Sequence, residues 1–220
     1  FISALTDITG SFEEAVAVSG KVLAIRGRVM PSTLHDVKLV AEIKLENQEK
    51  EVKVMGESTI TNLQGAISHL WLEPSNPLPF PPAIQAILNA DLIVIGPGSL
   101  YTSVLPNLLV PGLAEAIRAS KALKFMVCNV ANQKGETAGY SCSDHIQTLE
   151  RYISGTHFDV IICNNQIPND PIEGVEMVLP DARLGEQYAI YFAPLTDKQN
   201  PWRHDHQKLA EVITDLFYER

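Results

Sequence analysis

A chain of 220 residues with 45% hydrophobic content can bury one substantial core, with room for a small appended subdomain. Its formal charge of -9 argues against a broad nucleic-acid footprint, while a local anion site built from backbone N–H groups and one arginine stays open to it. No apolar run nears the ~20 residues that cross a bilayer, and no segment has the basic-then-apolar pattern of a signal peptide.

The chain opens Phe1-Ile2-Ser3-Ala4-Leu5, without methionine and inside an apolar element, so a preceding N-terminal part of the natural protein is expected. After a turn at Asp7–Gly10, Ser11-Phe12-Glu13-Glu14 fits a capping box that opens a helix to about Ser19. Val22 to Met30 reads as a strand with polar positions Lys21, Arg26 and Arg28, leaving at Pro31-Ser32-Thr33, which is either a second ligand loop or a plain strand exit. Val37, Leu39, Ala41, Ile43 and Leu45 alternate with polar residues as half-buried strands do. Glu46 to Glu51 is a polar tip, and Val52 and Val54 begin the return. The reading is a peripheral antiparallel hairpin over 37–58, its charges a solvated face that can also carry dimer contacts.

Ile67 to Leu72 is a further strand. Pro81 and Pro82 suit the first turn of a helix whose apolar face is Ile84, Ile87 and Leu88. Leu92 to Ile95 is a short continuous apolar run, the pattern of a parallel strand covered on both faces. Pro111-Gly112 starts a helix with Leu113, Ala114 and Ile117 inward; Lys124 to Val130 is a strand; Ser143-Asp144-His145 opens a helix carrying Ile146, Leu149 and Ile153. Asp159 to Cys163, Val175 to Leu179 and Ala189 to Phe192 are late strands, and Asp205 to Tyr218 is a helix with Leu209, Val212, Ile213, Leu216 and Phe217 on one stripe. Strands alternating with helices imply a parallel α/β sheet in one domain, with right-handed crossovers and ligands beyond the C-terminal strand ends, at a switch point.

Three of those strand exits carry compatible chemistry. Gly96-Pro97-Gly98 stops a strand where Ser99, Tyr101, Thr102, Ser103 and Asn107 follow, a candidate phosphate cradle at a helix start, although Gly-Pro-Gly is also often only a turn. Asn129, Gln133, Glu136 and Thr137 follow the next strand, and Asn164-Asn165 the one after; amides can read a base, a ribose or a sugar hydroxyl. Arg203 offers a bidentate fork for a phosphate, or is a surface arginine near a helix start. Tyr101 either stacks on a nucleobase or fills the sheet–helix interface. Glu136, Asp144 and His145 are the close trio for acid–base work, but Ser143 and Asp144 suit a helix N-cap and His145 a closed hydrogen bond. His204-Asp205-His206 is read as a helix cap with exposed histidines rather than a metal site. Cys128, Cys142 and Cys163 contain no C-x-x-C pair; Cys128 and Cys163 lie in apolar runs and are expected to be reduced core thiols of a cytoplasmic protein.

The run Gly96-Pro97-Gly98-Ser99-Leu100-Tyr101-Thr102-Ser103-Val104-Leu105-Pro106-Asn107-Leu108-Leu109-Val110 closely resembles the signature of the YvcK/CofD-like family, the gluconeogenesis factors related to 2-phospho-L-lactate transferase. Segments 4–7, 27–33, 127–130, 135–140, 143–145 and 202–205 resemble the family too, so the likeness spans nearly the whole chain. It implies a Rossmann-like fold, a mostly parallel sheet with helices on both faces, and a nucleotide ligand. In the YvcK branch it implies a cytoplasmic UDP-sugar-binding regulator linking carbon metabolism with cell-wall synthesis and cell shape. UDP-N-acetylglucosamine is the first ligand expected and no cofactor is required; Arg203 matches that branch's arginine for UDP-sugars. Family members usually begin with a glycine-rich strand–loop–helix unit, which this sequence lacks. The transferase branch instead moves a phospholactyl group from a guanosine diphosphate conjugate and uses a divalent metal. It resembles Met-Ser-Asp-Asp where this chain has Met30-Pro31-Ser32-Thr33, and the missing carboxylate pair weakens a magnesium site. NAD-type dinucleotide or GDP binding is a third reading. A homodimer and a protein partner in cell-wall synthesis are further expectations, which the sequence does not place on any surface.

Overall fold

Ser11 accepts a hydrogen bond from Glu14 N–H and opens a helix, as its spacing predicts, in a computed structural model that describes residues 1–45, 50–63, 65–181, 183 and 185–219. That helix, α2 (Phe12–Val22), follows α1 (Ile2–Thr9) across a left-handed Gly10. The expected strand from Val22 to Met30 is absent: Val22 ends α2, and the chain runs irregularly to β1. Apolar Val22, Leu23, Ile25 and Val29 are exposed there. Strand-forming side chains need a sheet face to cover them, and this segment meets none.

β1 (Lys38–Leu45) and β2 (Glu51–Met55) form the expected hairpin, whose tip at residues 46–49 lies outside the described residues. The hairpin is not an isolated appendage. After α3 (Glu57–Asn62), β3 (Gly65–Glu73) pairs antiparallel with β1, giving a three-stranded sheet of order β2-β1-β3. Leu39, Ala41 and Ile43 of β1 and Ile67, Leu70 and Leu72 of β3 turn their buried face to the main core. The solvated face is real at Lys53, which pairs with Glu73 at 2.7 Å, and Trp71 donates to the same carboxylate.

Pro81 and Pro82 start α4 (Pro81–Leu88), and β4 (Leu92–Ile95) follows. A π-helical turn (Leu100–Val104) runs into α5 (Leu105–Leu108) and then α6 (Leu113–Ala119), with Leu113, Ala114 and Ile117 buried as expected. β5 covers Leu123–Val127 and β6 Val160–Asn164, joined by α7 (Cys142–Tyr152). β7 (Ile190–Ala193) and α8 (His206–Tyr218) complete the chain. The four strands are parallel in the order β4-β5-β6-β7, which does not reverse among the described residues, so the expected switch point is not found there. Interior β6 is buried at every residue, while edge β4 leaves Val94 exposed. Val175 to Leu179 forms no strand; Met177 makes a lone bridge to Ala131.

Helices cover both faces. One core gathers α5, α6, α7 and the antiparallel sheet; the other packs Leu209, Val212, Ile213, Leu216 and Phe217 of α8 onto Phe125, Val160 and Ile162. Among the described residues no single helix is long and apolar enough to cross a membrane.

Candidate functional site at the strand ends

The C-terminal ends of the parallel strands lie side by side, and side chains stitch their loops together. Gly96 turns the chain at φ +83°, and the Gly96–Pro97 peptide is cis. Gly98 N–H donates to Asn129 Oδ1 at 3.1 Å, and Asn129 Nδ2 donates back to Gly98 carbonyl oxygen at 2.8 Å. The first two strand exits are thus clamped by one amide.

Glu136 forms the second join. Its buried carboxylate accepts from Tyr101 N–H at 3.1 Å, Thr102 Oγ1 at 2.7 Å and Gln133 Nε2 at 3.0 Å. Ser99 Oγ donates to Gln133 Oε1, and Thr137 Oγ1 accepts from Gln133 N–H at 2.9 Å. The helix-start donors expected to hold a phosphate are therefore engaged at two positions: Gly98 N–H by Asn129 and Tyr101 N–H by Glu136. A helix start attracts an anion, and here the protein's own carboxylate supplies one. Burial pushes the Glu136 carboxyl above its ordinary pKa, with the Thr102 and Tyr101 donors pulling the other way.

Several expected ligand residues are structural pins. Tyr101 is buried with its hydroxyl 2.8 Å from that of Tyr140, so it fills the interface rather than awaiting a base. Asn164 is buried, accepts from Leu195 N–H at 3.0 Å and donates to Gln166 carbonyl oxygen at 2.7 Å, tying β6 to the chain after β7. Asp144 is not itself the cap: Ser141 is, and Asp144 returns the bond to Ser141 N–H at 2.8 Å. His145 Nδ1 lies 2.9 Å from Ser141 carbonyl oxygen, and burial holds the ring's pKa below the ordinary value. The acid–base trio is thus dispersed into caps and clamps.

One cleft of about 490 Å³ stays open beside the glycine turn. Gly96, Pro97, Gly98, Ser103 and Asn107 line it, over an apolar floor that includes Ile93 and Leu108. Arg28 and Ser32 also line it, and Ser32 Oγ donates to Asn107 Oδ1 at 2.5 Å. Sequence reasoning placed Ser32 in a possible second ligand loop but assigned Arg28 to a strand that does not form. The signal was its position four residues before Ser32. A guanidinium, two hydroxyls, an amide and glycine backbone suit phosphate oxygens, and the lining contains no carboxylate for a divalent ion.

Arg203 is exposed in the turn between β7 and α8 and does not line the cleft. Its neighbour His204 bridges to Thr196 and is not the exposed histidine expected, whereas His206 is exposed. Neither His204 ring nitrogen has a hydrogen-bond partner among the described residues. Burial lowers its pKa to about 4, against a weaker opposing pull from the Cys128 carbonyl. A histidine that must stay neutral when folded lets the unfolded chain bind the extra proton, so its stability contribution is intact above pH ~6.5 and falls as pH drops toward 4. Unfolding by urea at pH 7 and pH 5 is expected to differ by about 1–2 kcal/mol more in the wild type than in His204→Gln. Equal differences in the two proteins would show that the ring is not held neutral.

The 2-phospho-L-lactate transferase CofD family model matches residues 1–215. A protein of Aquifex aeolicus (strain VF5), provisionally named gluconeogenesis factor, is 42% identical over 226 residues, covering 98% of this chain and 68% of its own length. The gluconeogenesis factor of Bacillus subtilis (strain 168) is 38% identical over 227 residues, covering 99% of this chain and 70% of itself. A crystal structure of a UPF0052 family member from Bacillus halodurans superimposes with a TM-score of 0.87 at 36% identity, over 97% of this chain and 70% of that one. The chain thus spans about two thirds of these relatives, and 48% of a similar Nostoc protein.

Proposed function

We propose, because this chain belongs to the CofD family and stands with the gluconeogenesis factors in it, that it forms the ligand-binding part of a regulatory protein holding a nucleotide sugar. UDP-N-acetylglucosamine is the ligand named for the test. The observation that carries this reading is the cleft at the C-terminal edge of a parallel sheet. There Arg28, Ser32, Ser103 and Asn107 line one cleft with Gly96, Pro97 and Gly98. Such edges are where open α/β sheets bind ligands.

Arg203, expected from the sequence to meet a diphosphate, is exposed in the turn between β7 and α8, outside the lining of this cleft. Regulation rather than turnover is favoured by the fate of Glu136: its buried carboxylate is spent on three protein donors and is not free to act as a base. The regulatory role, the link to cell-wall synthesis and cell shape, and a cytoplasmic setting belong to the same proposal.

Calorimetry on the full-length protein with UDP-N-acetylglucosamine, GDP and NAD tests it. UDP-sugar binding is expected, with Arg28→Ala and Arg203→Ala each weakening it by about 1–3 kcal/mol, the worth of a charge-assisted hydrogen bond. No UDP-sugar heat at millimolar concentration would remove the proposal. Turnover of a guanosine diphosphate conjugate with magnesium would replace it with transferase chemistry.

A further inference from the structure

The three cysteines, far apart in sequence, meet directly beneath the strand ends. Cys128 follows β5, Cys142 begins α7 and Cys163 is the penultimate residue of β6; their sulfurs all lie within 4.8 Å of one another. Each is about 1% exposed. Cys142 and Cys163 are joined as a disulfide, with Cα atoms 6.7 Å apart, and Cys128 is a free thiol whose Sγ lies 3.9 Å from Cys142 carbonyl oxygen. This corrects the expectation that Cys163 is a reduced core thiol. Strand alternation brings Cys163 under the first turn of α7, a meeting that spacing along the chain does not reveal.

Position makes the cluster more than a core contact. The residue after Cys128 is Asn129, which clamps Gly98; the residue after Cys163 is Asn164, which pins Leu195; the residue before Cys142 is Ser141, the cap of α7. We propose that these sulfurs form a buried thiol-modification site in which Cys142 and Cys163 are reversibly joined, and that the join sets how firmly the strand-end loops are held. Closing it forms one Sγ–Sγ bond and breaks two S–H bonds. The electron pair and both protons pass to a low-molecular-weight disulfide such as oxidised glutathione, which reaches Cys142 or Cys163 when the strand-end loops open locally and leaves as two thiols by way of a mixed disulfide. With Cys142 and Cys163 joined, one thiol is left, too few sulfur ligands for a closed metal site. Burial pushes the Cys128 thiol up to about 12, so it stays protonated and does not scramble the neighbouring bond at neutral pH.

The full-length protein, treated with oxidised glutathione or with a phosphine reductant, decides the matter by peptide mapping, amide hydrogen exchange and thermal unfolding. Oxidation is expected to yield a mapped Cys142–Cys163 bond with Cys128 free. Exchange over 129–137 and 164–166 should slow about fivefold or more, and the unfolding midpoint should rise by about 5–10 °C. Cys128→Ala should keep that redox difference and Cys163→Ala should abolish it. Absence of the bond after oxidation, a bond through Cys128, or equal exchange and midpoints in the two states would overturn the proposal, and the untreated pair decides this even if a variant misfolds. None of these readouts involves a nucleotide, so failure here and failure of the nucleotide-sugar reading are separate results.

Discussion

Glu136→Ala is expected to destabilise the protein by about 3–5 kcal/mol and to abolish ligand binding at the strand ends. Its carboxylate answers three donors at once, Tyr101 N–H, Thr102 Oγ1 and Gln133 Nε2, and Tyr101 and Thr102 are buried. Truncation strands those donors away from water, and each stranded group costs about 1–3 kcal/mol. For a chain of this size the loss corresponds to a melting midpoint lower by roughly 8–15 °C. The π-helical turn would lose the tie between Leu100–Val104 and the 129–137 loop, and with it the rim of the cleft. Glu136→Gln, which keeps the volume and one acceptor, should recover about half of the stability. A midpoint within 2 °C of wild type for Glu136→Ala, on the order of the shift from 1 kcal/mol, would show that the carboxylate is not the tie described here.

Gly96→Ala is expected to cost about 2–4 kcal/mol and to weaken nucleotide binding at least about tenfold, by two additive causes. Gly96 sits at φ +83°, where a side chain strains the backbone, and a Cβ there would meet Val127 carbonyl oxygen at 2.7 Å. That carbonyl ends β5 and cannot yield without opening the β4–β5 register. Gly98 is the internal comparison. Its φ is not positive, and a Cβ would meet nothing closer than Val104 Cγ2 at 3.5 Å. Gly98→Ala should fold within about 0.5 kcal/mol of wild type yet still impair binding, because Gly98 lines the cleft. Urea unfolding and calorimetry on the pair separate strain from loss of ligand approach; equal stability losses would refute the distinction.

Much of the fold was legible because its signals are local. The continuous apolar runs at 92–95 and 160–163 both form strands, but only the inner one is buried at every residue; 92–95 lies at the sheet edge, where Ile95 is buried and Val94 is exposed. Ser11, the Pro81-Pro82 pair and the α8 stripe worked for the same reason: a cap, a fixed φ and a 3.6-residue period act within one or two turns. The failures are equally physical. Val22 to Met30 has strand composition, but no neighbouring strand accepts it. Val175 to Leu179 fails likewise, with one bridge in place of a ladder. β3 read correctly as a strand, while its membership of the antiparallel sheet depended on pairing with β1, which period alone cannot specify.

The candidate site divides along the same line. Its location beyond the strand ends and its glycine turn follow from residue type and order, since chain direction in a parallel sheet delivers successive loops to one edge. Which groups remain available does not. Gly98 and Tyr101 carry donors in any sequence reading, but only the folded chain brings Asn129 and Glu136 to consume them, and only there does Arg28 join Asn107 in lining one cleft. Local periodicity and capping determined the α/β class, most of its elements and the edge where ligands gather. The tertiary structure decided the sharing of donors, the cation lining the cleft and the meeting of three sulfurs, because those depend on contacts between residues tens of positions apart.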